Sequence, residues 1–178
     1  MDIGVISVRY ARALIKSATM AKLEEQVYLE MLTLSESYIL VPELRFTIDN
    51  PMLAKSQKQS LLETASGTKP SELTKKFLQL VLNEDREGTL QFIAASYITL
   101  YRKQKNITRG RLITATVVTP AIEQKMKQMV ESNTQGTVEF QAEVNPDIIG
   151  GFILEYDTYR MDASVNTKLN SILTQLKK

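Results

Sequence analysis

The spacing of apolar residues changes once along this chain, and that change limits what it can fold into. From residue 3 to about 105, apolar side chains recur at intervals of three and four, the period of one helix face. From about 110 onward, short β-branched runs take over, among them Ile113-Thr114-Ala115-Thr116-Val117-Val118 and Phe152-Ile153-Leu154. Four of the seven glycines fall in this second stretch, where turns between strands call for them. One period throughout would give one kind of layer; two periods give two kinds. The expected fold is therefore mainly α: an N-terminal six-helix bundle over residues 1–105, then a small α/β domain over residues 106–178. The polar segment Lys103-Gln104-Lys105-Asn106-Ile107-Thr108-Arg109-Gly110-Arg111 reads as the joint between them.

Punctuation divides each part. Helices are expected at about 3–20, 22–40, 43–49, 54–65 and 71–84, and from just after Gly88 to about 105. Pro42 limits the second helix, because the residue before a proline avoids helical geometry. Asp49-Asn50-Pro51 closes the third, Ser66-Gly67 ends the fourth, and Ser71 can cap the fifth through its hydroxyl. The second part reads as strand 111–118, helix 120–132, strands 137–144, 151–156 and 159–161, and a last helix over 164–176. Pro120 suits a first helical turn, and Asp157-Thr158 a hairpin turn.

Composition bears on function more than on fold. The 178 residues include no histidine, cysteine or tryptophan. That removes thiol nucleophiles, Cys or His metal ligands, disulfides and every Ser-His or Cys-His catalytic pair. No cofactor is expected. Net charge is only +2, from 22 basic and 20 acidic residues, which gives polyanions little general pull. The longest apolar runs are about four residues, against about 18 for a spanning helix. A cytosolic or peripheral protein is expected, without direct membrane insertion.

The remaining polar features have plain structural readings. Gly150-Gly151 is the only glycine pair, but it precedes a strand and lacks any phosphate-loop pattern. It reads as a turn or bulge where Cβ atoms will not fit. Asp162 and Ser164 read as the N-cap of the last helix rather than as an acid–hydroxyl pair. Glu84-Asp85-x-Glu87 reads as a helix end and solvated turn, since the EF-hand spacing is absent. Arg9, Arg12 and Lys16 share one side of the first helix, where they could meet an anion or simply solvate that face. Arg109 and Arg111 beside Lys103 and Lys105 make a weak nucleic-acid patch or a solvated linker.

Two helices carry more apolar surface than a small bundle needs. The first has an apolar arc of roughly 240° and the fifth one of roughly 200°, against a stripe of about 100° on an ordinary surface helix. On the first helix, Val8, Ala11, Leu14, Ile15 and Ala18 form one half of the arc, and Ile6, Tyr10 and Ala13 the other. On the fifth, Leu78, Val81 and Leu82 lie on one side, with Leu73, Phe77 and Leu80 on the other. Such helices either sit centrally or offer one face to a partner.

Three stretches together resemble the delta subunit of bacterial F-type ATP synthases, the oligomycin-sensitivity-conferring protein family. They are Arg9-Tyr10-Ala11-Arg12-Ala13-Leu14, the run Val138-x-Phe140-x-x-x-Val144-Asn145-x-x-Ile148-x-Gly150-Gly151-Phe152-x-Leu154-Glu155, and Asp162-Ala163-Ser164-Val165 followed by Leu169. Order and spacing agree across nearly the whole chain. The resemblance implies a non-catalytic stator subunit that links the catalytic alpha/beta head to the peripheral stalk formed by the b subunit, so that proton-driven rotation is coupled to ATP synthesis. It further implies one copy per complex, located peripherally on the cytoplasmic face of the bacterial cell membrane. The helical domain would hold the N-terminal helix of an alpha subunit, chiefly through its first and fifth helices. The second domain would meet the C-terminal end of the b subunit. On this reading Ile6, Tyr10, Ala13, Leu73, Phe77 and Leu80 line the partner groove, with Glu84 at its rim. Gly150, Gly151, Asp162 and Ser164 serve the structure. Two other readings compete: a helical protein using the basic joint to bind nucleic acid, and an enzyme with carboxylate chemistry.

Overall fold

The computed structural model describes residues 3–134, 136–156 and 158–176. It divides into two compact units, Met1–Lys103 and Gln104–Lys178. The fold is mainly helical, with one small mixed sheet toward the C-terminus.

The first unit is built from α1 (Ile3–Ala21), α2 (Glu24–Leu40), α3 (Pro42–Asp49), α4 (Lys55–Ala65), α5 (Glu72–Asn83) and α6 (Leu90–Lys105), with a 3-10 turn at Glu87–Thr89. Each boundary lies within about two residues of its expected place, because proline, glycine and capping residues stop helices by local geometry. α2 packs against α1, α3, α4 and α5, so it forms the inner helix. Its Val27, Met31 and Leu34 are fully buried, as are Ala11 and Ala18 of α1, Leu62 of α4, Leu78 and Val81 of α5, and Leu90, Ile93 and Tyr97 of α6. Tyr28 of α2 stacks on Tyr101 of α6 at 4.3 Å.

The acidic turn after α5 is tied down by ion pairs. Asp85 pairs with Lys55 at 2.6 Å, and Glu87 with the buried Lys58 at 2.7 Å. No cluster of potential metal ligands occurs among the described residues.

The second unit contains β1 (Ile107–Thr114), α7 (Pro120–Thr134), β2 (Thr137–Val144), β3 (Phe152–Tyr156), β4 (Tyr159–Asp162) and α8 (Val165–Leu176). The sheet order is β2-β1-β3-β4. β1 and β2 are parallel, which requires the α7 crossover, and β3 and β4 add antiparallel. Leu112 sits opposite both Ala142 and Leu154 in the register. Leu112, Val138 and Leu154 form one buried cluster with Val130 of α7. Of the expected Asp157-Thr158 turn, Asp157 lies outside the described residues, and Thr158 is in a turn.

The first strand corrects the sequence reading in position and in character. The β-branched run predicts a strand over 111–118, yet β1 begins at Ile107 and ends at Thr114. Residues 103–105 belong to the last turn of α6, and Asn106 alone, at φ +56°, separates helix from strand. The polar segment is therefore no free linker. Alternation explains the difference. Thr108, Gly110 and Leu112 share one face of β1 while Arg109 and Arg111 share the other, so a polar-looking run is a two-faced strand. Gly110 is buried because a Cβ there would meet the Phe140 ring at 2.5 Å. Arg109 donates to Gln141 Oε1 at 2.8 Å. Arg111 lies 3.5 Å from Glu143 and 3.6 Å from Glu155. These cations are held in the sheet, which weakens the nucleic-acid reading. Beyond β1, the Thr114 hydroxyl donates to the Thr116 carbonyl and Val118 packs toward the Leu112 cluster, so the β-branched run leaves the sheet halfway.

Gly151 and the α8 cap behave as expected. Gly151 has φ +75°, and a Cβ would strike the Ala163 carbonyl oxygen. Gly150 has no such φ, but its Cβ position lies 3.2 Å from Val165 Cγ2. At the start of α8, the buried Ser164 accepts the Thr167 N–H at 3.2 Å, and Asp162 accepts the Ser164 N–H at 3.0 Å. The Ser164 hydroxyl and N–H, with help from Thr167 and Arg160, hold the exposed Asp162 carboxyl below its ordinary value. A carboxyl depressed on folding contributes stability above the unfolded pKa of about 3.9 and loses it as pH falls through the folded value. Asp162→Asn should therefore differ from wild type in urea midpoint at pH 6 and converge with it as the pH falls through the depressed folded-state value. A constant difference across that range would show that the charge plays no part. Ser164→Ala should cost about 1 kcal/mol at neutral pH.

Candidate partner-binding groove

α1 and α5 both pack against α2. The gap left between them is an open groove of about 520 Å³. α1 contributes Tyr10, Ala13 and Leu14, flanked by Arg9 and Ser17. α5 contributes Leu73, Phe77 and Leu80, flanked by Lys76 and Glu84. Steps of three and four along each helix put these residues on one face, which is why two short sequence patterns make one continuous lining. The Tyr10 and Phe77 rings meet edge-on across the groove, with centroids 6.5 Å apart at 68°.

A buried polar cluster fixes where α5 begins. Ser71 caps the helix, accepting the Thr74 N–H at 3.3 Å. The Glu30 carboxylate, buried on α2, accepts the Ser71 N–H at 2.6 Å and its hydroxyl at 2.8 Å. It also accepts the Thr74 hydroxyl and, at 3.1 Å, the Gln26 amide. Four donors compensate the cost of burying one carboxylate. They also hold an anion at a helix N-terminus, where the dipole favours it. Leu73 and Phe77, in the first and second turns of α5, are placed by this anchor.

Six of the seven expected groove residues come together: Tyr10, Ala13, Leu73, Phe77, Leu80 and Glu84. Ile6 does not. It is 6% exposed and lies outside the lining, although on a helical wheel it stands only about 20° from the exposed Ala13. The difference lies along the helix axis, since the turn at Ile6 is covered and the turn at Ala13 is open. Phe77 is more enclosed than an outward face implies, at 7% exposure, because it forms floor rather than rim. Leu14, which the sequence places in the core, is 2% exposed and serves both core and groove floor. The sequence reading omits Arg9, Ser17 and Lys76 from the lining. Their positions, adjacent to Tyr10, one turn after Ala13 and adjacent to Phe77, carry that signal.

In the second unit, α8 has no buried residue. Val165, Leu169, Ile172, Leu173 and Leu176 repeat at helical spacing and are 38–79% exposed. That is an uncovered apolar stripe along a whole helix.

Comparison with known proteins agrees with this architecture. A family model described as ATP synthase delta (OSCP) subunit matches residues 6–176. The ATP synthase subunit delta of Phocaeicola vulgatus is 46% identical over 176 residues, covering 98% of this chain and 95% of that protein. The subunit delta of Parabacteroides distasonis is 44% identical, covering 99% of this chain and 98% of its own. Among solved structures, a chain of the Toxoplasma gondii mitochondrial ATP synthase hexamer shares the fold, with a TM-score of 0.63 at 23% identity and 97% coverage of both chains. The chain belongs to the ATP synthase delta (OSCP) subunit family, a family of non-catalytic stator subunits.

Proposed function

We propose that this chain joins the catalytic head of an ATP synthase to its peripheral stalk by two separate contacts. The six helices act as one bundle on the head and hold the N-terminal helix of an alpha subunit in the α1–α5 groove. The α/β unit receives the C-terminal end of the b subunit on the exposed stripe of α8. One copy serves each complex, at the cytoplasmic face of the membrane. Among the described residues no helix is long and apolar enough to cross a membrane.

The observation that carries this reading is the groove itself. Tyr10, Ala13, Leu73 and Leu80 form an apolar trough between two helices, the shape that takes an amphipathic helix. Removing roughly 400–600 Å² of apolar surface from water is worth on the order of 10–15 kcal/mol gross. Association costs of about 4–15 kcal/mol offset much of it. One groove thus gives moderate affinity, and a second linked contact raises the total by about 10²–10⁴-fold. A part that must resist torque needs both.

The test is calorimetric titration of the full chain with a synthetic peptide of the alpha N-terminal segment and, separately, with a fragment of the b subunit ending at its C-terminus. Both should bind, and binding of one should leave sites for the other. Ile172→Asp should weaken the b fragment alone. Absence of saturable binding by the alpha peptide would overturn the groove assignment.

A further inference from the structure

We infer that the α1–α5 groove selects an acidic amphipathic helix, through cations that line it from both walls. The inference rests on the proposed role of the groove as a helix-binding site and adds the chemistry of what it admits. Arg9 of α1 and Lys76 of α5 line the groove. Arg12 and Lys16 continue the exposed cationic stripe on α1, a helix that carries no Asp or Glu over Ile3–Ala21. Among the described residues, none of these four cations makes a direct ion pair, and only Lys76 feels a carboxylate at longer range, that of Glu72 one turn earlier on α5. Neighbouring lysines are engaged: Lys75 with Glu72 at 2.7 Å, and Lys55 with Asp85 at 2.6 Å. Of the residues lining the groove, Glu84 alone is acidic.

A face that only needed solvation would have no reason to carry cations alone along a whole helix, as α1 does, in a chain of net charge +2. Nor would it need cations from two helices that flank the same apolar trough. Charges placed at the rim of an interface act chiefly on partner choice and association rate. From Leu73 to Glu84 the lining runs roughly 16 Å along α5, about three helical turns. The occupant is therefore a helix of about three turns, apolar along one stripe, with carboxylates flanking the stripe where it passes Arg9 and Lys76.

The experiment uses two synthetic helical peptides with the same leucine stripe, one flanked by glutamates and the other by lysines, titrated into the full chain. The glutamate peptide should bind about tenfold more tightly at about 20 mM salt, and the gap should close toward about 0.5 M. The double variant Arg9→Glu/Lys76→Glu should reverse the preference with unchanged melting temperature. Lys168→Glu, a cation remote in sequence on α8, should leave it intact. Equal affinity of the two peptides for the wild type, with both weakened by Leu80→Asp, would overturn charge selection while sparing the groove. An equal shift from Lys168→Glu would also overturn it, since net charge would then be responsible. If neither peptide responds to Leu80→Asp, the groove reading falls with it.

Discussion

Leu80→Asp should lower the affinity of the alpha N-terminal peptide by about 3 kcal/mol, on the order of 100-fold. Leu80 is half exposed in the free protein and lines the groove, so an aspartate there stays hydrated until a partner arrives. Binding must then strip water from a carboxylate against an apolar helix face, where nothing returns the lost hydrogen bonds. Ala13→Trp reaches the same end by filling the trough, since Ala13 is the smallest apolar residue of the lining. A residue near the centre of a small interface is where such losses are largest. Both variants should keep the wild-type circular dichroism and melting temperature, because neither position is buried. Wild-type affinity in both would mean the groove is misplaced. Unfolding of both would mean these side chains belong to the core.

Gly151→Val should destabilise the second unit by about 3 kcal/mol, lowering its melting temperature by on the order of 10 °C. Two costs coincide there. At φ +75° a β-branched residue is strained wherever it stands, and here the Cβ would also strike the Ala163 carbonyl oxygen, which is backbone and cannot rotate away. The same movement would disturb the Val165 N–H bond to the Gly150 carbonyl, 2.9 Å, and so the start of α8. If α8 carries the stalk contact, b-fragment binding should fall with the melting transition while alpha-peptide binding holds. Gly150→Ala should be milder, since its Cβ meets only the movable end of Val165. Equal stability of Gly151→Val and wild type would show that the backbone at this turn has freedom the fold does not require.

Helix ends, caps and the division into two kinds of structure are legible along the chain, because each is decided by neighbours a few residues away. Ser71 caps α5 and Ser164 caps α8 by hydrogen bonds that span three residues. The wide apolar arcs of α1 and α5 mark the two helices that border the groove, since helical periodicity is a property of the segment alone. What lies across the fold is not legible in this way. A helical wheel does not separate Ile6 from Ala13, because angle says which way a side chain points and only packing says which turn is covered. Its β-branched residues do not place β1, because its start is set by parallel pairing of Ile107 with Thr137, thirty residues on. Glu30 looks like a polar flaw in the buried stripe of α2, and its partners Ser71 and Thr74 lie more than forty residues later. Local elements and the surplus of apolar surface thus follow from residues close together in the chain. Where that surplus stays open follows from packing alone, because closing a groove depends on how far apart α2 holds α1 and α5.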